Sequence, residues 1–385
     1  MSAPASTRRR AEPDVPGSQA AIPNPPGKDH TVSDGAVKER AAGVRTATAV
    51  EAVCLAFNEN PAPVEAAVVA AITAAASRVN RYPFEDEPRV MRRLAEHFDC
   101  PEANLMLVRG IDECFDRLCE AFPGMRQVSA WPGFDGYRGR IGVYGLPHFE
   151  LGLTESLQLD PADLVRLTRE DFVTLASPSN PTSLLLGEDE LAALRARAGK
   201  LLIDETYVDY STRRRQRPAF GEHEYVFRSF SKSYGLAGLR LGVLFGPAEA
   251  IASMKRRQWF SNVGTLELNA LEAVLDHDQA RDAHVASILA ERARVSEALR
   301  ALGYRVVPSE ANFVLVANPA GARTLAWLAG QGVQVKDAAQ FGLAGHLRIS
   351  IGLAHENDRL LAALGSFPEA AGFSESVSIQ GEFHD

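Results

Sequence analysis

A series of short segments in the middle of this chain is apolar along its length rather than at every second position: LMLV (105–108), QVSA (127–130), FVTLAS (172–177), KLLID (200–204), YVFRSF (225–230) and LGVLF (241–245). A strand with one wet face alternates, whereas a strand covered on both faces does not. Helical patterns separate these segments, among them RVMRRLAEHF (89–98), a stretch from about Ile111 to Phe122, and EDELAALRARA (188–198). Strands alternating with helices fold as an α/β unit, a mainly parallel sheet between two helical layers.

Beyond a long helix at roughly 280–302 the pattern changes. YRVV (304–307), NFVLVA (312–317), VQVK (333–336) and LRISIG (347–352) predict a second, smaller sheet, with helices near 320–330 and 356–367. That is a smaller α+β domain. Residues 1–45 are rich in Pro, Ala, Ser and charge, and 369–385 in Ser, Gly and acid. Such segments bury too little apolar surface to offset the entropy of ordering, so both are expected to be flexible tails. The expected division is a segment 46–80 joining the small domain, a large domain over 81–280 and a small domain over 281–368. A chain of 385 residues with 46% hydrophobic content is long enough for both cores.

Charge and cysteine usage exclude several classes of partner. Lys and Arg total 41 against 49 Asp and Glu, a net charge of −8 that disfavours nucleic acid or an anionic membrane as the main ligand. No apolar run approaches membrane-spanning length, and no signal-peptide core follows Arg8-Arg9-Arg10, so a cytoplasmic protein is expected. Cys54, Cys100, Cys114 and Cys119 lack paired metal-ligand spacing and read as thiols in a reducing compartment. The nine histidines show no ligand spacing either, and no metal is expected.

In an open parallel sheet the chemistry sits beyond the carboxyl ends of the strands. After LMLVR comes Gly110-Ile111-Asp112, a turn into a helix whose free N–H groups suit an anion. Trp131-Pro132-Gly133-Phe134 follows QVSA, Pro178-Ser179-Asn180-Pro181-Thr182 follows FVTLAS, Asp204-Glu205-Thr206-Tyr207 follows KLLI, and Ser231-Lys232 follows YVFRSF. An anion hole, an aromatic ring, an amide, a carboxylate with a phenol, and an amine thus converge. Pyridoxal phosphate needs such a set: a lysine for its aldehyde, donors for its phosphate, a flat neighbour for its ring, and an acid at its ring nitrogen. On this reading Lys232 holds the aldehyde, and Ser229, Ser231 and Arg240 hold the phosphate. Arg228, at the start of the same run, is expected to point outward, and Glu205 and Asp209 to be structural.

The motifs FNENP (57–61), RYP (81–83), RGIDE (109–113), SPSNPT (177–182), LLIDETYVDY (201–210), SFSKSYGLAGLRLG (229–242), ANF (311–313) and LRISIG (347–352) occur in this order. With them, residues 50–367 resemble the fold-type I pyridoxal-phosphate enzymes of the class I/II aminotransferase superfamily, most closely the histidinol-phosphate aminotransferase group. The resemblance implies a large domain with a mainly parallel seven-stranded sheet between helices, plus a smaller α+β domain. Lys232 also moves the proton between the substrate α-carbon and the cofactor's C4′. It implies that Asp204 pairs with the ring nitrogen, that Asn180 and Tyr207 hold the phenolic oxygen, and that Phe134 stacks on the ring. The backbone of Ile111 and Asp112 joins Ser229, Ser231 and Arg240 at the phosphate. Tyr82 reaches the neighbouring subunit's cofactor, which implies a homodimer. Arg348 clamps a substrate carboxylate, and Asn58 lies over the site.

Four departures from the family pattern fall around the substrate. Ser183 stands where glycine is usual after Asn-Pro-Thr, and Phe134 where tyrosine is common. Trp259-Phe260-Ser261-Asn262-Val263-Gly264 replaces a Pro-Phe-Asn-Val-Asn segment, and Lys336 replaces an arginine that helps bind a substrate phosphate. The expected activity is amino transfer between a donor such as glutamate and a keto or phosphorylated imidazole-type substrate, in histidine biosynthesis. The alternatives are an aromatic or specialised amino acid as substrate, a decarboxylase of a phosphorylated amino acid such as threonine phosphate, and a ligand-sensing regulator, for which the Pro-broken N-terminal segment offers no helix-turn-helix.

Overall fold

A computed structural model of the chain describes residues 52–258, 262–318 and 320–368. The expected terminal tails, and Trp259, Phe260 and Ser261 of the altered segment, lie outside them. A short strand, β1 (Val53–Leu55), opens the described part. Seven strands then build one sheet: β2 (Leu105–Val108), β3 (Arg126–Ala130), β4 (His148–Leu151), β5 (Asp171–Ala176), β6 (Lys200–Asp204), β7 (Glu224–Ser229) and β8 (Gly242–Phe245). Their order is β2-β8-β7-β6-β5-β3-β4. Only β8 runs against its neighbours, so the carboxyl ends of β2, β7, β6, β5 and β3 share one edge. This is the mainly parallel seven-stranded α/β sheet expected.

The helices that matter here are α1 (Ala66–Ala75), α2 (Asp86–His97), α3 (Gly110–Ala121), α4 (Asp135–Tyr144), α5 (Glu188–Arg197), α6 (Ala248–Arg256), α7 (Thr265–Leu275) and α8 (Asp278–Ala301). They explain why the strands do not alternate. Leu201 and Ile203 of β6 face Leu194 of α5 on one side. Leu202 of the same strand faces Cys114 and Leu118 of α3 and Ile251 of α6 on the other. Each fully buried Leu or Ile contributes about 2 kcal/mol through the hydrophobic effect, so covering both faces is the main stabilising term.

The second sheet has the order β1-β10-β11-β9, with β9 (Phe313–Ala317), β10 (Val333–Asp337) and β11 (His346–Ser350). β1 lies parallel to β10, pairing Val53 with Val333 and Leu55 with Val335. Helices α9 (Ala322–Gly330) and α10 (Ala354–Gly365) flank it. The 24-residue α8 spans roughly 36 Å. Its Val285, Ile288, Val295 and Leu299 recur at helical spacing and enter the second core. The expected strand at YRVV does not form: a single bridge joins Val306 to Val316. No helix among the described residues is long and apolar enough to cross a membrane.

Candidate active site

β6 is the middle strand of the large sheet, and Asp204 is its last residue. The Asp204 carboxylate is buried, and both of its oxygens accept hydrogen bonds. Oδ1 accepts from the Thr206 backbone N–H at 2.9 Å and from Thr206 Oγ1 at 2.6 Å. Oδ2 accepts from the Tyr137 phenol at 2.6 Å. Burial pushes its pKa above the ordinary carboxylate value, while the Thr206 and Tyr137 donors pull it back.

Lys232 follows β7, the next strand over. Its Nζ donates to the Phe57 carbonyl at 3.0 Å and stands 5.9 Å from the centre of the Tyr207 ring. Although the side chain keeps some access to water, its surroundings favour the neutral amine. Burial, and then the positive charge of Arg348, lower its pKa to about 8.

Arg348, from β11 of the second sheet, is buried between the rings of Phe313 and Phe341, 5.6 and 4.9 Å from their centres. One Nη donates to Asn180 Oδ1 at 2.8 Å and the other to the Ala56 carbonyl at 2.6 Å, while Nε has no partner. Asn58 joins the same group. Its Nδ2 donates to the Tyr207 hydroxyl at 3.1 Å, its Oδ1 accepts from Ser350 at 2.9 Å, and its carbonyl accepts from Asn312. The structure therefore brings Asn58, Asn180, Tyr207, Lys232 and Arg348 into one hydrogen-bonded or contacting group. Burial raises the Tyr207 pKa, so its phenol stays protonated near neutrality.

The proposed phosphate-binding residues lie nearby in the fold. Gly110 opens α3 with φ +75, a left-handed angle that glycine adopts freely. A β-carbon there would stand 2.9 Å from an Arg240 Nη, so the glycine leaves room for the guanidinium. Arg240 is itself left-handed and pairs with Asp112 at 3.7 Å. Ser231 is buried, and its N–H bonds Ser229 Oγ at 3.1 Å. The N–H groups of the first turn of α3 have no partner within the helix and face a favourable dipole end. Phe134 caps α4 and meets the Tyr137 ring edge-on at 5.1 Å.

These residues fit pyridoxal phosphate on the chemistry of the donors. A lysine with a lowered pKa, a buried acid with an open acceptor position, and an arginine beside a glycine-led helix N-terminus each match one part of the cofactor. Lys336 pairs with Arg348 across β10 and β11, and its Nζ lies 5.5 Å from the Phe57 ring. Tyr82 is 70% exposed and packs beside Phe84.

Two expectations need correction or completion. Arg228 does not point outward: it is buried, with Nε 3.0 Å from Glu205 Oε2, and Glu205 is also held by Arg215. That pair ties the end of β6 to β7, because an unpaired charge at such depth would be costly. Ser183 keeps the glycine-like backbone of the usual family residue, with φ +65, and its hydroxyl bonds the Pro308 carbonyl at 3.3 Å. Sequence reasoning missed Tyr137, Thr206 and Ser350. Only Tyr137 carried a signal, its place three residues after Phe134.

The sequence pattern of the family described as aminotransferase class I and II matches residues 51–364. A histidinol-phosphate aminotransferase of Methylibium petroleiphilum is 35% identical over 322 residues, covering 80% of this chain and 86% of that protein. An aromatic amino acid aminotransferase of Cutibacterium acnes is 32% identical over 331 residues, covering 81% and 92%. A solved Burkholderia pseudomallei protein classed among the aminotransferases is 69% identical, with a TM-score of 0.81 over 83% of this chain and 99% of that one.

Proposed function

This chain belongs to the class I and II aminotransferases, and on that premise we propose that its amino-group substrate is a phosphorylated, histidinol-phosphate-type amine and that it works as a cytoplasmic homodimer. It is a pyridoxal-phosphate-dependent aminotransferase. The bound cofactor supplies an electron sink for the pair left at the substrate α-carbon when a proton departs.

The chain's own residues do the rest. Lys232 Nζ, neutral in part near pH 8, takes the α-proton and carries it onward. The Asp204 carboxylate keeps the ring nitrogen protonated through an opposite charge. Asn180 and Tyr207 hold the phenolic oxygen, and Phe134 supports the ring face. Ser229, Ser231, Arg240 and the first-turn N–H groups of Ile111 and Asp112 hold the phosphate. Arg348 clamps the donor carboxylate with its planar fork, and Asn58 closes over the site.

One observation carries the substrate reading. Lys336 and Arg348 are directly paired across two antiparallel strands, so two cations project from neighbouring positions. A dianionic phosphate suits such a pair in one half-reaction, and the glutamate carboxylate that Arg348 clamps suits it in the other. The likeness to the Methylibium enzyme points the same way. The dimer reading rests on Tyr82 and Phe84, 70% and 66% exposed, beside the exposed Val79. The four thiols suit a reducing compartment.

The test is glutamate formation from 2-oxoglutarate with competing amino donors. Histidinol phosphate should exceed phenylalanine and tyrosine in kcat/KM by about tenfold or more, the scale of one charge-assisted contact. An aromatic donor in the lead would overturn the substrate, and carbon dioxide release from threonine phosphate without glutamate would overturn the transfer.

A further inference from the structure

Asp204 has a neighbour that the proposed roles leave unused. An ionised carboxylate offers about four acceptor positions. Thr206 fills two through Oδ1, and the Tyr137 phenol fills one through Oδ2 at 2.6 Å. One position remains. Tyr137 is itself held in place: it is 4% exposed, stacked with Phe115 at 6.4 Å and met edge-on by Phe134 at 5.1 Å. Its hydroxyl must donate, because a carboxylate only accepts.

We propose that Tyr137 is a positioning residue for the cofactor's ring nitrogen: its phenol locks the Asp204 carboxylate so that a single lone pair faces the ring, while its aromatic side sets the tilt of Phe134. The inference rests on Asp204 being the partner of that nitrogen. One side chain then couples the two contacts the ring makes, with its edge and with its face.

The electrical consequence follows from the groups around Asp204. Cys114 on α3, Tyr137 on α4, Glu205 and Tyr207 on the loop after β6, and Lys232 after β7 surround it. Burial favours the neutral acid, and the phenol opposes this. Removing the donor therefore raises the Asp204 pKa. A neutral Asp204 cannot attract a protonated ring nitrogen, so the acid limb of cofactor binding should move to higher pH.

The experiment is pyridoxal-phosphate uptake by the cofactor-free protein, followed by absorbance from acid to mildly alkaline pH. In Tyr137→Phe the acid midpoint should rise by about one pH unit, the tenfold effect of losing one donor to a charged group. Lost packing alone would weaken binding equally at every pH and leave the midpoint in place. Site-specific 3-fluorotyrosine at position 137, a stronger donor of nearly the same size, should move the midpoint down. It serves on its own if the phenylalanine variant does not fold. Unchanged midpoints in the variants that fold would overturn the role of Tyr137. Failure of the unmodified protein to take up the cofactor would instead overturn the cofactor reading.

Discussion

Lys232 carries the sharpest expectation about a single residue. An amine attacks an aldehyde only when neutral, and below its pKa the neutral fraction falls tenfold per pH unit. With its pKa lowered to about 8, the rate of cofactor capture by the cofactor-free enzyme should climb about tenfold per pH unit up to about 8 and then level off. Stopped-flow absorbance reads this directly, and a flat rate through that range would contradict the assigned surroundings of the lysine. Lys232→Ala should abolish both covalent capture and turnover. At this scale the sequence was legible where a residue belongs to a run of chemistry-bearing neighbours, as with Asp204 at the end of KLLID and Lys232 among its serines. Tyr137 and Ser350 were missed because each acts on a residue of a distant element, Tyr137 on Asp204 and Ser350 on Asn58.

Between elements, the buried Arg228–Glu205 pair joins the strands that deliver the acid and the lysine. Glu205→Leu would leave two arginines facing an apolar side chain and should cost about 3 kcal/mol in urea unfolding. Replacing both partners, with Arg228→Met added, should recover a good part of that loss, because a matched apolar pair leaves only the exposed-side Arg215 without its acid. A double variant no better than the single one would mean that the pair does not act as a unit. Elements were read from sequence when both faces are covered, and the bounds of β2 and β6 coincide with LMLV and KLLID. Helix α4 was missed because Gly136, Gly139 and Gly142 each cost about 1 kcal/mol against alanine in a helix. Gly136 has a reason to be there: a β-carbon would overlap the Phe134 ring. YRVV misled because β propensity measures fit to a half-buried surface, and the pairing there stops at the single bridge between Val306 and Val316.

For the whole molecule, a homodimer in which Tyr82 reaches the partner's cofactor makes a prediction that no single chain can satisfy. Chains carrying Tyr82→Ala and chains carrying Lys232→Ala should each be poorly active alone. Mixed, refolded dimers hold one site with both defects and one with neither, so about a quarter of unmodified activity should return. Absence of recovery would place Tyr82 outside the neighbouring site. The two-sheet architecture was legible from the change of pattern after the long helix. Segment 46–80 was expected to join the small domain, but the strand β1 itself was not foreseen, because a three-residue strand 280 positions before its partner carries no local signature. That pairing also bears on biosynthesis. Ala56 and Asn58 bond Arg348 and Ser350 across 292 positions, so a chain synthesised only as far as β10 lacks half of this clasp. This side of the pocket therefore closes only once the last strand of the second sheet is in place beside the first.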